Sequence, residues 1–119
     1  MEIFEIITEP EVKAFLLNLG PEDRARADFR AALLAEMGPE LAEPHSRNLG
    51  DGVRELRFTL TRNREVRITY WFPGGPRVIL LTAFKKSKRR ETREVQRAKA
   101  AKKACEAKHE NTYSDEFST

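Results

Sequence analysis

The sequence predicts a single α+β domain: a two-helix hairpin and a C-terminal helix packed on an antiparallel sheet of about four strands, in the order βααβββα. Three observations predict it. Two segments before residue 40 repeat apolar residues every three to four positions, which is the period of a helix with one buried face. Two segments between residues 56 and 72 alternate apolar and polar residues, which is the period of a half-buried strand. Gly-Pro and Pro-Gly pairs mark the joins. A chain of 119 residues is one domain's worth, and at this length about two-thirds of the unfolded surface can be buried without disulfide staples.

Ile3, Phe4, Ile6 and Ile7 make a short opening strand. Thr8-Glu9-Pro10-Glu11 has the form of a capping box, with Thr8 as N-cap and Pro10 in the first turn. Val12, Phe15, Leu16 and Leu19 follow at helical spacing, and Gly20-Pro21 ends that helix and begins the next. In the second helix Ala25, Phe29, Ala32, Leu33 and Met37 form the apolar stripe, closed by Gly38-Pro39. Leu56, Phe58 and Leu60, then Val66, Ile68, Tyr70 and Phe72, define two amphipathic strands. Pro73-Gly74-Gly75-Pro76 turns the chain into Val78-Ile79-Leu80-Leu81, apolar on both faces as a central strand should be. Lys85 to Arg90 is a basic loop, and Glu91 to His109 reads as a helix whose apolar positions are all small: Val95, Ala98, Ala101 and Cys105. Residues 1–109 form the domain, and 110–119, without periodicity and acidic, read as a disordered tail.

Composition narrows the class. Hydrophobic residues at 39% and charged residues at 34% describe a globular domain with a thin core. No apolar run approaches the ~20 residues of a membrane span. The acidic start Met1-Glu2-Ile3-Phe4-Glu5 is unlike a signal peptide, and a lone Cys105 suits a reducing compartment, so the expected location is cytoplasmic. With one cysteine and only His45 and His109, far apart, neither a metal nor another cofactor is expected. Net charge is −6 over residues 1–46, +4 over 47–84, +8 over 85–109 and −3 over the last ten. Positive charge concentrated in one half is the footprint of a polyanionic partner, or else a solvated basic helix face.

The hairpin register singles out two residues. Matching apolar to apolar pairs Phe58 with Val66 and Leu56 with Ile68, leaving the loop Thr61-Arg62-Asn63 with Asn63 able to turn left-handed. The same register sets Arg57 opposite Arg67 on the other face, a like-charge pair that folding alone does not favour. Either an anion belongs between them, or they splay into solvent, or Glu55 and Glu65 neutralise them. Phe84-Lys85-Lys86-Ser87-Lys88-Arg89-Arg90 then places a basic run at the end of the central strand.

Three segments in order, Leu49-Gly50-Asp51-Gly52-Val53-Arg54-Glu55-Leu56-Arg57, Arg67-Ile68-Thr69-Tyr70 and Leu80-Leu81-Thr82-Ala83-Phe84-Lys85-Lys86, resemble the RelE/ParE superfamily over residues 1–109. They are most similar to its HigB-like, phage-derived Gp49-like branch. The resemblance implies a RelE-like fold. It also implies the toxin of a type II toxin-antitoxin system: a metal-independent, ribosome-dependent mRNA endonuclease (mRNA interferase) that inhibits translation and is restrained by a cognate antitoxin. It assigns catalytic roles to Arg57, Arg67, Lys85 and Lys86, with Arg67 at the scissile phosphate and the lysines stabilising charge or protonating the leaving group. Arg54, Lys88, Arg89, Arg90, Lys99, Lys102 and Lys103 are the accompanying candidates for RNA binding. Trp71 is open to two readings, stacking on a base or covering the sheet beneath the last helix. The reaction implied is attack of a ribose 2′-hydroxyl on the adjacent phosphate.

The chain departs from that pattern at Thr82, where many relatives carry histidine, and at Arg54, where they carry tyrosine. No general base stands out: His109 and Tyr113 lie late, His45 reads as structural, and Tyr70 falls on the core face. A lysine with a lowered pKa is the remaining option. The small residues of the last helix are expected to form a groove for apolar residues of the antitoxin. The alternatives on the same scaffold are a ParE-like, gyrase-binding inhibitor without catalysis and a basic domain that only binds nucleic acid.

Overall fold

A computed structural model describes residues 3–87 and 91–117, with side chains as far as Lys108. The elements are β1 (Glu5–Thr8), α1 (Pro10–Leu17), α2 (Pro21–Met37), β2 (Ser46–Gly50), β3 (Val53–Leu60), β4 (Arg64–Trp71), β5 (Arg77–Lys85) and α3 (Glu91–Phe117). They form one five-stranded sheet in the order β1-β5-β4-β3-β2. Lys88, Arg89 and Arg90 lie outside the described residues, as do the side chains of the segment expected as a tail. Among the described residues no helix is long and apolar enough to cross a membrane.

The α+β architecture is the expected one, with two differences in the sheet. An additional strand, β2, pairs antiparallel with β3 at one edge. Its sequence, Ser-Arg-Asn-Leu-Gly, is mostly exposed and so lacks the alternation that marks a strand with a buried face. At the other edge β1 pairs parallel with β5, which makes the sheet mixed. A parallel pair needs a long crossover, and here the whole of α1 to β4 supplies it.

The sheet separates two apolar cores. On one face α1 and α2 cover Leu56, Phe58, Leu60, Val66, Ile68, Tyr70, Val78 and Leu80, with Val12, Ala27 and Leu34 coming from the helices. On the other, α3 lays Ala98 and Cys105 over Val53, Trp71, Ile79 and Leu81. Small residues let this helix approach closely, and Ala98, Ala101 and Cys105 of the predicted stripe are used in doing so. Most of the small-residue face expected to form a partner groove is thus taken up by the chain's own sheet, while Val95 lines a hollow between β2 and α3. Burial pushes the Cys105 thiol up to about 11, so it packs as an apolar group.

Two local readings are corrected. Thr8 is the last residue of β1, and Glu9 caps α1 without a side-chain hydrogen bond. The Glu11 carboxylate instead accepts from the Ala83 amide (3.0 Å) and from Arg97 of α3 (2.5 Å), tying α1 to β5 and α3. On α2 most of the predicted stripe is turned outward: Phe29 is 66% exposed, and Met37, Ala25 and Ala32 are exposed, while Leu33 packs against the core. The inward face carries Asp23, Ala27 and Leu34.

Asp23 explains the rotation, because its carboxylate has partners only at the hairpin turn. Its Oδ1 accepts from the Thr61 amide and hydroxyl, both at 2.9 Å, and Oδ2 pairs with Arg64. The amide of Thr61, more than any other neighbour, holds the Asp23 carboxyl below the usual carboxylate range. A depressed carboxyl adds stability above its unfolded pKa and loses it as pH falls through the folded value. Asp23→Asn is expected to lower the thermal midpoint at pH 7 and to lessen the loss of stability between neutral pH and pH 3. Thermal unfolding of both proteins across that range checks it; parallel pH curves would remove Asp23 from the account.

Candidate functional site

The β3–β4 register is the one the apolar pattern requires: Phe58 opposite Val66, Leu56 opposite Ile68 and Arg57 opposite Arg67. The turn Thr61–Asn63 achieves it with left-handed backbone at Arg62 (φ 61°) and Asn63 (φ 56°). Asparagine tolerates that conformation, whereas arginine adopts it at some cost. Apolar pairing on the hairpin side thereby forces the two arginines together on the α3 side.

That second face is divided. Its Val53, Trp71, Ile79 end lies under α3, and its other end carries Arg57, Arg67, Glu55, Glu65 and Phe84. Thr69 and Thr82 stand between them, their hydroxyls 2.5 Å apart and buried. Thr82 is thus committed to a neighbour in the sheet.

The arginines are neutralised without being saturated. Arg57 Nε is 3.9 Å from Glu55 and Arg67 Nη2 is 4.0 Å from Glu65, both too long for hydrogen bonds. Arg67 Nη1 donates to the Val66 carbonyl at 3.0 Å. The Nε atoms of both arginines are buried with no acceptor among the described residues. Arg67 is only 4% exposed. Burial, then the neighbouring Arg57, draws its pKa below the usual arginine value. Burial raises the Glu55 carboxyl above the usual range, against the pull of Arg67 and Arg57, and Glu91 at the start of α3 adds to the rise. Of the readings open for the opposed arginines, neutralisation by Glu55 and Glu65 accounts for their charge. It leaves their hydrogen-bonding capacity unused.

Two hollows flank this cluster. One, of about 260 Å³, is lined by Pro44, Thr59, Glu65, Arg57 and Arg67. The other, of about 420 Å³, lies between β2 and α3 and is lined by Arg47, Asn48, Glu55, Glu91, Gln96 and Lys99, among others. Glu55 borders the second and stands two residues from Arg57, so the hollows are neighbours on one face.

Other predicted residues are brought to this face or kept from it by register. Lys86 belongs to it: its amide donates to the Glu65 carbonyl at 3.0 Å and its Nζ is 3.7 Å from the Glu65 carboxylate. Lys85 pairs with Val66, a core residue of the hairpin side, and so leaves the sheet on the opposite face from Arg67. Arg54, opposite Tyr70, also belongs to the hairpin side; it donates to the Pro39 carbonyl at 2.7 Å and lies over Phe72. Trp71, 8% exposed, covers the sheet beneath α3, which decides between its two readings. Tyr70 is core, hydrogen-bonded to Ser46 at 2.5 Å, with burial raising its phenol pKa. His45 takes Arg30 as partner at 3.0 Å. Lys99 pairs with Asp51 at 3.3 Å, Lys102 pairs with Glu106 at 2.8 Å and covers the Trp71 ring, and Lys103 is exposed. Glu55, Glu65, Glu91 and Phe84 were not singled out as functional from sequence. Register alone would have placed Glu55 and Glu65 beside the arginines.

These features define a mixed-sheet α+β fold with a partly buried, under-bonded cationic cluster on one sheet face. The chain belongs to the family described as "Phage derived protein Gp49-like (DUF891)", whose model matches residues 14–103. Its fold is that of the E. coli toxin RelE, solved in the free state as a double arginine-to-alanine mutant. That structure matches with a TM-score of 0.61 and 16% identity, over 86% of this chain and 98% of that one. No curated protein sequence matches the chain.

A buried charge beside a like charge is costly to folding. Arg67→Met is therefore expected to melt no lower than the parent protein. Thermal unfolding by circular dichroism tests this; a drop beyond about 5 °C, roughly 1 kcal/mol in a domain of this size, would make Arg67 a structural residue.

Proposed function

We propose that the protein is the toxin of a toxin-antitoxin pair and cleaves RNA, with translated mRNA as substrate and a cognate antitoxin as its restraint. The observation that carries the reading is the opposed Arg57/Arg67 pair, with both Nε atoms buried and unpaired. An arginine fork matches phosphate oxygens, and two forks side by side match one phosphate approached from two directions. The motif resemblance to HigB-like toxins and the fold shared with a protein named a toxin point the same way.

Cleavage needs three things of this face. The ribose 2′-hydroxyl must lose its proton as its oxygen attacks phosphorus, and Glu55, its affinity for protons raised by burial, is the carboxylate suited to receive it. The pentavalent phosphorus centre gains negative charge, which Arg57 and Arg67 offset. The bond from phosphorus to the 5′ oxygen then breaks, and Lys86 supplies the proton that oxygen takes up. The products are a 2′,3′-cyclic phosphate and a free 5′-hydroxyl, with no net loss of water or electrons. The hollow lined by Arg47, Asn48, Gln96 and Lys99 carries the strand onward from the cluster. Lys85 and Arg54 take no part in this account.

Induced expression followed by primer extension on cellular mRNA tests the reading. Discrete cuts within translated codons are expected, and Arg67→Ala or Arg57→Ala is expected to reduce them by about 100-fold or more, the usual effect of losing one preorganised charge. Growth arrest without mRNA cuts would point instead to an inhibitor acting on a protein target.

A further inference from the structure

β5 contains a bulge opposite the step from Thr69 to Tyr70: Leu80 pairs with Tyr70, whereas Thr82 pairs with Thr69. The extra residue reverses the alternation of the strand beyond it. Ile79 and Leu81 face α3, yet Ala83 packs against the hairpin core and Phe84 pairs with Arg67. Arg57, Arg67 and Phe84 thus occupy successive positions of one row across β3, β4 and β5. The Cβ atoms of residues opposite one another on neighbouring strands lie about 5 Å apart, so Phe84 and Arg67 leave the sheet side by side on this face.

Phe84 stands apart from the other aromatic residues of the sheet. Phe58, Tyr70 and Phe72 pack with the hairpin core and Trp71 packs under α3, while Phe84 belongs to neither core and is half-buried. A phosphate held by the arginine pair would bring the base of its own nucleotide within reach of a ring one strand away. We propose that Phe84 is the platform on which an unpaired nucleobase next to the cleaved bond stacks. The proposal rests on the RNA-cleaving reading above and narrows its substrate to single-stranded RNA with that base splayed from its neighbours. Stacking tolerates any base, so Phe84 orients the nucleotide while leaving its identity to the polar groups of the adjoining hollow.

The test compares the full-length protein with Phe84→Leu and Phe84→Tyr on mRNA bound to programmed ribosomes. A parallel set of mRNAs carries an abasic ribonucleotide at each position flanking the cut in turn. Phe84→Leu is expected to slow cleavage about tenfold and Phe84→Tyr to restore it, since stacking one base on an aromatic ring is worth about that factor. At one abasic position the parent and Phe84→Leu are expected to cleave equally, which a merely structural role for the ring would not produce. Equal rates for parent and Phe84→Leu on intact mRNA would overturn the proposal while leaving the cleavage reading in place. So would a defect of the same size on every abasic mRNA. Failure of the parent protein to cut any of these mRNAs would overturn the cleavage reading itself.

Discussion

The pairing of β3 with β4 is the constraint on which the rest of the molecule depends. Side chains alternate across a strand with period two, so the register that closes Phe58 on Val66 and Leu56 on Ile68 also decides everything on the opposite face. A slip of one residue would expose the apolar set of the hairpin core. The apolar pairing is therefore firmly held, and the arginine pair comes with it. Asp23 reinforces the same register from the helix side by bonding the Thr61 amide and Arg64 at the turn. Three parts of the chain distant in sequence thus agree on one alignment.

The charge arrangement follows from that alignment and is nearly self-balancing. Glu55 and Glu65 sit two residues from Arg57 and Arg67 on the same strands, close enough to offset charge and too far to satisfy the guanidinium hydrogens. The distinction matters because coulombic attraction falls slowly with distance, whereas a hydrogen bond is lost within a few tenths of an ångström. A face built this way is tolerable to the folded chain and leaves the buried Nε of each arginine without an acceptor among the described residues. An oxyanion entering it gains hydrogen bonds and also relieves Arg67 of the repulsion from Arg57. The neighbouring carboxylates limit how strongly any anion is held there.

Much of this was legible in the sequence because it rests on strong alternation. The β3–β4 register, the loop at Asn63, the central position of β5 and the small-residue face of α3 all follow from apolar spacing. What escaped was governed by polar partners or by a single residue's offset. β2 has no buried face to announce it. The apolar stripe of α2 points outward because Asp23 has partners only at the hairpin turn, and one buried polar group outweighed Phe29 and Met37. The facing of residues past the bulge could not be read, since nothing in Leu80-Leu81-Thr82-Ala83 marks where a strand gains a residue.

That one-residue offset has the largest consequence for the site. Continued without a bulge, the register of Ile79 and Leu80 would set Ala83 opposite Arg67 and Lys85 opposite Glu65, and send Phe84 into the hairpin core opposite Val66. With it, Ala83 takes the core position, where a small side chain fits against the covering helix, and Phe84 and Lys86 come to the arginine face. Bulges often re-aim side chains next to sites of binding and catalysis, because a reversal of facing costs only a local break in the ladder. Here the break falls at Thr69 and Thr82, whose hydroxyls bond each other where the regular ladder is interrupted. The same threonines form the boundary between the apolar half of the face, sealed by α3, and the charged half beyond it.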